Sequence, residues 1–183
     1  MTIAIRRAVR RRLWLLWAIP CTLAPHHRPL ARAEEVRKAN ASIDCREAKP
    51  GGPEQVVLAL YRDFPVDGRQ VPQNQPREVL ARYFDDGLVK LLLREQECVR
   101  RVEGICRIDV DPRYDAQDVD IDDFRVCAAD SKRELVSVRF RNLGKETVVT
   151  YRIRKTHRSW RIGDVLYTSG PSLAQLLSQP EPG

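Results

Sequence analysis

Seven aspartates crowd a fifteen-residue stretch in the middle of the chain, which reads DVDPRYDAQDVDIDD. They are Asp109, Asp111, Asp115, Asp118, Asp120, Asp122 and Asp123. Carboxylates at this density can bind calcium, act as a catalytic acid and base, or form backbone turns. An EF-hand needs acids at alternate positions and then a glycine, but Arg113 and Tyr114 stand at the fifth and sixth positions counted from Asp109. The EF-hand is therefore excluded, and an irregular calcium site stays open as an alternative.

Turn chemistry accounts for the stretch better than a metal site does. Aspartate next to proline favours turns, because its carboxylate accepts hydrogen bonds from its own backbone. Glutamine and aspartate side chains can also hold a loop against a sheet through bonds to the backbone. We therefore predict a structural acidic loop with no metal and no other cofactor, formed by Asp111, Asp115, Gln117 and Asp118.

Three tyrosines and one acid are the other candidates for chemistry. After residue 33 the sequence has a single histidine, no H-E-x-x-H, no nucleophile elbow and no phosphate-binding glycine loop. A small isomerase or dehydratase would then rely on an acid and tyrosines in a pocket. The candidates are Tyr61, Asp63, Tyr83 and Tyr151. Packing in the core is the alternative role for the tyrosines.

The elements that carry these residues come in two groups. Apolar residues recur at helical spacing in 53–64 and again in 76–98, where Gly87 leaves open whether there is one helix or two. Four β-rich runs follow, at 124–130, 134–141, 146–155 and 159–167, joined by hairpin-length links. A short helix with Ser172 as its cap ends the pattern.

This order predicts an α+β fold in which two or three N-terminal helices pack on a four-stranded antiparallel meander sheet. In the second of these runs the sequence VSVRFR alternates, so Val136, Val138 and Phe140 should face the core while Ser137, Arg139 and Arg141 face water. The predicted domain covers residues 53–179, after an arm at 34–52 and before a tail at 180–183.

The first 33 residues have the three parts of a secretory signal peptide. RRAVRRR precedes the apolar run LWLLWAIPCTLA, which is too short to span a bilayer, and ARA at 31–33 suits cleavage after Ala33. We expect a periplasmic or secreted protein without stable membrane insertion after cleavage. The general and the twin-arginine routes both stay open.

The net charge of +7 belongs to this signal segment. It contains seven arginines and no acid, which leaves 25 basic and 25 acidic residues in 34–183. No nucleic-acid partner is therefore indicated.

Four cysteines remain beyond the signal segment: Cys45, Cys98, Cys106 and Cys127. An even number in an exported protein predicts two disulfides, for which three pairings are possible. Cys98 and Cys106 are close in sequence and form the natural local pair, which leaves Cys45 with Cys127. A zinc site is the rival interpretation, but the close C-x-x-C spacing is absent.

Three segments carry a resemblance to a known family: VVLALYRDF, CRIDVDPRYDAQD and WRIGDVLYTSGPSLAQLL. Together they resemble the exported bacterial domain of unknown function 3828, which looks like a member of the nuclear transport factor 2-like (cystatin-like) superfamily. The resemblance covers about residues 53–178. It implies a cone-shaped α+β fold and an envelope location, and leaves the activity open.

Two functions follow as hypotheses. The first is a non-catalytic periplasmic module that binds an unknown protein or small ligand of the envelope, as an accessory, inhibitor or immunity-type protein would. The second is the pocket enzyme described above. A deep pocket holding an acid and a tyrosine would favour the enzyme, and an exposed apolar patch would favour a partner surface.

Overall fold

The computed structural model describes residues 51–66, 70–130, 134–156 and 159–181, with the backbone alone at 128–130. The predicted signal peptide, most of the predicted arm and Cys45 lie outside these residues.

Three helices and one short 3₁₀ turn precede the sheet. They are α1 (Glu54–Asp63), the 3₁₀ turn (Pro72–Asn74), α2 (Arg77–Tyr83) and α3 (Asp86–Val102). Each α-helix has one apolar face buried in the core, as the helical spacing predicts; Val57, Leu80 and Leu88 are 1 % exposed or less.

The second predicted helix is two helices, and the break lies before Gly87. Phe84 is extended and forms a bridge to Ile162 in the sheet. Asp85 then caps α3, because its Oδ1 accepts a hydrogen bond from the Leu88 backbone N–H at 2.8 Å. Gly87 is an ordinary residue of the first turn of α3. A tertiary contact and a cap therefore set the break.

The four strands form one sheet in chain order, with every neighbouring pair antiparallel. They are β1 (Ile121–Asp130), β2 (Leu135–Asn142), β3 (Lys145–Lys155) and β4 (Trp160–Tyr167). The predicted α+β class and the meander are thus confirmed. A last helix, α4 (Leu173–Leu177), begins with a complete capping box between Ser172 and Gln175.

The core lies between the helices and one face of the sheet. Val136, Val138 and Phe140 are fully buried there, as the alternation predicts. The prediction that Ser137 faces water is wrong, because Ser137 is only 6 % exposed. Its hydroxyl is 3.1 Å from the Thr150 hydroxyl, in a second buried patch on the opposite face that includes Leu166.

The local disulfide between Cys98 and Cys106 is confirmed, with Cα atoms 6.0 Å apart. Cys127 is also a disulfide cysteine. Its pairing with Cys45 stays a prediction, because Cys45 lies outside the described residues. Of the helices that the structure describes, none is long and apolar enough to cross a membrane.

Candidate functional site

The segment after α3 folds back along that helix and is fastened by a buried glutamate. Glu95 of α3 accepts hydrogen bonds from the backbone N–H groups of Arg107, at 2.6 Å, and Ile108, at 3.0 Å. The Arg107 guanidinium adds an ion pair to Glu95 at 2.9 Å, and both side chains are less than a tenth exposed. Together with the Cys98–Cys106 disulfide, these bonds hold the segment against α3.

The acidic loop is organised around one buried ion pair. The Arg113 guanidinium donates to both carboxylate oxygens of Asp111, at 3.1 and 2.6 Å, and its backbone N–H donates to the same carboxylate at 2.9 Å. Arg113 also donates to the Phe64 carbonyl at the end of α1. Burial disfavours the charged guanidinium, but the bonds to Asp111 outweigh it and raise the pKa of Arg113. The Asp111–Arg113 pair therefore links the loop to the helical layer.

The remaining acids of the loop point to turn formation. The Asp111 carbonyl accepts hydrogen bonds from the N–H groups of Tyr114 and Asp115, both at 3.0 Å, and Asp115 takes the left-handed conformation at φ 53°. The loop is tied to the sheet by the Asn142 side chain, which bonds the Asp118 carbonyl at 3.0 Å and the Asp120 N–H at 2.9 Å. The side chains of Gln117 and Asp118, which the sequence predicts to bond the backbone, form no such bond with the described residues. Gln117 instead makes a long contact of 3.4 Å to Asp109.

Two of the candidate tyrosines face each other in the core. The hydroxyls of Tyr61 and Tyr151 are 2.8 Å apart, and the Tyr61 hydroxyl donates to the Arg113 carbonyl at 2.7 Å. Burial raises the pKa of both phenols above its ordinary value, so both stay protonated and able to donate hydrogen bonds. They act as hydrogen-bonding struts between α1, the sheet and the acidic loop.

The other two candidates form a separate pair. The Tyr83 hydroxyl donates to Asp63 at 2.6 Å, and Arg62 donates to the other oxygen of the same carboxylate at 2.8 Å. These bonds, first that from Arg62 and then that from Tyr83, lower the pKa of Asp63. Burial and the bond to Asp63 raise the pKa of Tyr83 to about 12. The four predicted site residues are thus divided between two places.

The interior of the fold is nearly filled beside these tyrosines. A cavity of about 10 Å³ is lined by Tyr151 and by residues such as Leu60, Phe84 and Leu92. That space holds roughly one water molecule and no organic substrate. Asp63 and Tyr83 border neither this cavity nor the larger groove described next.

An open groove of about 1120 Å³ runs between the end of α3 and the acidic loop. We call it the acidic groove. Its first wall is α3 and the disulfide loop, including Val99 and Ile105; its second wall is the lead-in to β1 and the β2–β3 turn, including Val119 and Leu143. The buried Arg113 lies at its base.

The exposed apolar residues are concentrated in this groove. Six large hydrophobic residues of the described chain are exposed, and four of them line it: Val66, Val99, Ile105 and Leu143. Ile105 and Leu143 are about two-thirds exposed, at 66 % and 65 %. Single exposed apolar residues are ordinary, but a cluster in a concave surface is typical of a binding site.

Leu143 occupies a turn position that disfavours leucine. Asn142 pairs with Lys145, so the β2–β3 link has two residues, Leu143 at φ 51° and Gly144 at φ 76°. This type I′ geometry favours Asn-Gly, because left-handed backbone costs a residue with a branched or bulky side chain roughly 1–2 kcal/mol. The Leu143 N–H is bonded to the Asp120 carbonyl at 3.0 Å, which fixes the turn beside the acidic loop. The Leu143 side chain is thus both exposed and held on a left-handed backbone.

Carboxylates supply the charge of the groove. Two of its acids are neutralised within the fold, Glu95 by Arg107 and Asp111 by Arg113. Asp109, Asp118 and Asp120 also line it, are exposed, and form no ion pair with a described residue. Arg100, on the opposite wall, is paired with Glu97. Within the described chain, no cluster of three or more acids, histidines or cysteines is close enough to hold a metal ion.

Sequence reasoning missed the groove because its walls come from distant segments. Val66, Val99 and Leu143 share no local pattern, and their exposure is not encoded in spacing. One signal was present: a leucine between Asn142 and Gly144, in a hairpin link where a polar residue is expected. Comparison with protein-family models, curated proteins and solved structures finds no match for this chain.

Proposed function

We propose that the protein is an exported, non-catalytic binding module of the bacterial envelope and that its partner binds in the acidic groove. One observation carries this proposal: four of the six exposed large hydrophobic residues of the described chain line a single open groove. Exposed apolar surface lowers solubility, so its concentration in one concavity favours a surface that a partner covers.

The size and openness of the groove support a macromolecular partner. Small-molecule sites are typically about 300–1,000 Å³ and enclose most of the ligand. This groove has a volume of about 1120 Å³, is open to solvent, and is lined by side chains from both layers of the fold. A polypeptide segment suits such a surface better than a small metabolite does.

The proposed location rests on the signal-like N-terminus and on cysteine chemistry. Disulfides persist in oxidising compartments such as the periplasm. The Cys98–Cys106 disulfide joins α3 to the wall of the groove, so oxidation would hold the binding surface in shape.

The proposed family rests on the sequence resemblance described above, and the structure adds a role for one of its residues. Asp111 to Asp118 carry the resemblance to the uncharacterised exported family, and Asp111 holds the buried Arg113 in this fold. We therefore propose the cone-like nuclear transport factor 2-like architecture for this helices-then-meander domain.

The geometry gives less support to the pocket enzyme. The hydroxyls of Tyr61 and Tyr151 are bonded to each other, and the cavity beside them is too small for a substrate. Asp63 and Tyr83 pair away from either cavity. We therefore do not extend the proposal to catalysis.

Site-specific photo-crosslinking tests the proposal with a matched pair of positions. Val99 and Val102 lie on the same helix and are similarly exposed, at 38 % and 42 %, but only Val99 lines the groove. A photoreactive phenylalanine analogue replaces each in the full chain, expressed in the source bacterium, and adducts are sought in the periplasmic fraction. We expect a discrete protein adduct from position 99 and none from position 102. Absence of adducts from both, or equal adducts, would contradict the proposal.

A further inference from the structure

We infer that the occupant of the acidic groove is a segment of a partner protein that is basic and carries apolar side chains between its lysines or arginines. This inference rests on the proposed function and adds the chemical class of the partner. It is based on how charge and apolar surface are distributed within the groove.

The unpaired charge of the groove has one sign. Asp109, Asp118 and Asp120 line it and are exposed, and none forms an ion pair with a described residue. The two lining arginines are already engaged: Arg113 with Asp111, and Arg100 with Glu97. A cationic segment therefore finds free carboxylates, whereas an anionic segment meets like charge, which costs affinity.

The backbone that carries Asp118 and Asp120 is held in place before any partner arrives. Asn142 bonds the backbone of Asp118 and of Asp120, and Gln117 contacts the Asp109 carboxylate. The lead-in that carries these acids is thus held against the sheet. A preorganised surface loses less conformational entropy on binding, so these carboxylates can contribute to affinity as well as to the rate of association.

Apolar side chains lie beside the acids on both walls. Ile105 and Val99 project from the first wall, and Leu143 from the second, within the same groove as Asp118 and Asp120. Charge alone would attract any polycation, including one without apolar groups. The apolar residues select a segment in which basic and apolar side chains are interleaved.

The strain at Leu143 supports the same assignment. Leu143 has φ 51° at a turn position that Asn fits better, and its side chain is 65 % exposed beside Asp120. The exposed Leu143 side chain buries little apolar surface in the free protein. It gains a role if an apolar side chain of the partner packs against it.

Fluorescence anisotropy with defined peptides tests the inference. The probe is a labelled twelve-residue peptide of alternating arginine and valine, and the protein is the oxidised mature chain, residues 34–183, without the predicted signal peptide. One control peptide replaces every arginine with glutamate, and a second replaces every valine with serine. We expect the Arg-Val peptide to bind at least about tenfold more tightly than either control. The first control loses the charge attraction to the carboxylates, and the second loses the apolar contacts.

Variants of the groove and of nearby surface complete the design. The triple change Asp109→Asn, Asp118→Asn and Asp120→Asn should weaken binding of the Arg-Val peptide by about tenfold or more and flatten its salt dependence. Asp122→Asn and Val102→Ser lie outside the groove lining and should leave binding within about twofold. Circular dichroism of each variant confirms that it is folded.

The outcomes separate this inference from the proposed function. Equal binding of the acidic peptide, or binding that is indifferent to the triple change, overturns the inference. If that happens while position 99 still gives its crosslinked adduct, the binding module stands and only the partner class is wrong. If position 99 gives no adduct, the proposed function fails as well. A crosslinked partner peptide that is basic and apolar supports both.

Discussion

At the scale of single residues, the Asp111–Arg113 pair decides whether the acidic loop has a fixed shape. The pair is nearly buried, with side chains 12 % and 4 % exposed, and it connects the loop to the end of α1 through the Phe64 carbonyl. A buried pair is weak evidence for net stabilisation, because both ions lose hydration. Removing one partner is different, since it leaves the other charge buried and unmatched.

Asp111→Ala should therefore lower the free energy of unfolding by about 3–5 kcal/mol, a large part of the total for a domain of this size. Asp109→Ala is the control: this aspartate lies two residues away and is exposed, so its change should stay within about 0.5 kcal/mol. Urea unfolding of both variants measures the difference. Similar, small losses in both would show that the ion pair does not organise the loop.

The bond between Tyr83 and Asp63 predicts a pH effect with a definite sign. Hydrogen bonds from Arg62 and Tyr83 lower the pKa of Asp63 from its usual 3.8. A carboxyl whose pKa is lower in the folded state contributes stability above its unfolded pKa, and that contribution is lost as the pH falls through the folded pKa.

Tyr83→Phe should raise the pKa of Asp63 toward 3.8, because one of its two stabilising hydrogen bonds is removed. The stability advantage of the wild type that comes from this bond should then shrink as the pH falls below about 4. NMR titration of the Asp63 carboxyl measures the shift. Tyr114→Phe, a buried tyrosine without a bond to Asp63, should leave the titration unchanged, and equal titration in Tyr83→Phe would refute the assignment.

At the scale of elements, periodicity in the sequence predicted most of the fold. Helical spacing located α1, α2 and α3, and alternation located four strands to within a few residues. Short links between strands implied the meander, because they can join only antiparallel neighbours. These features are local, and local sequence therefore specifies them.

The features that sequence failed to predict depend on tertiary contacts. The break between α2 and α3 is set by Phe84 pairing with Ile162, about eighty residues away, and by the Asp85 cap. Ser137 is buried with Thr150, its cross-strand neighbour, and their hydroxyls are 3.1 Å apart, a contact that alternation in one strand cannot reveal. Residue type alone points to the candidate tyrosines, whereas packing places Tyr61 against Tyr151 in the core and Tyr83 beside Asp63.

The β2–β3 turn gives a prediction at this scale. Leu143→Asn should raise the free energy of unfolding by about 1 kcal/mol, because asparagine tolerates the left-handed conformation that leucine disfavours. Leu143→Ala is the matched control, since it removes the same apolar group and keeps a Cβ-bearing residue without the local hydrogen bonding of asparagine. Urea unfolding should show stabilisation in the Asn variant alone. A loss of stability in Leu143→Asn would mean that the leucine supports the fold.

At the scale of the whole molecule, the core and the acidic groove occupy different parts of the fold. The sheet and helices enclose a filled core, and the tyrosine struts join that core to the acidic loop. The acidic groove then lies on the outside, where the disulfide loop, the acidic loop and the β2–β3 turn meet. The fold thus supplies the walls of the proposed binding surface from three segments that are distant in sequence.

The most direct measurement of the central claim is the yield of the position-99 crosslink when Leu143 is changed to Asn. If Leu143 strains the free fold and contacts a partner, its replacement by Asn should lower the crosslink yield and raise the stability to urea. We predict a yield reduced several-fold in a protein that unfolds at higher urea concentration than the wild type. An unchanged or increased yield in the stabilised variant would contradict a binding role for the acidic groove.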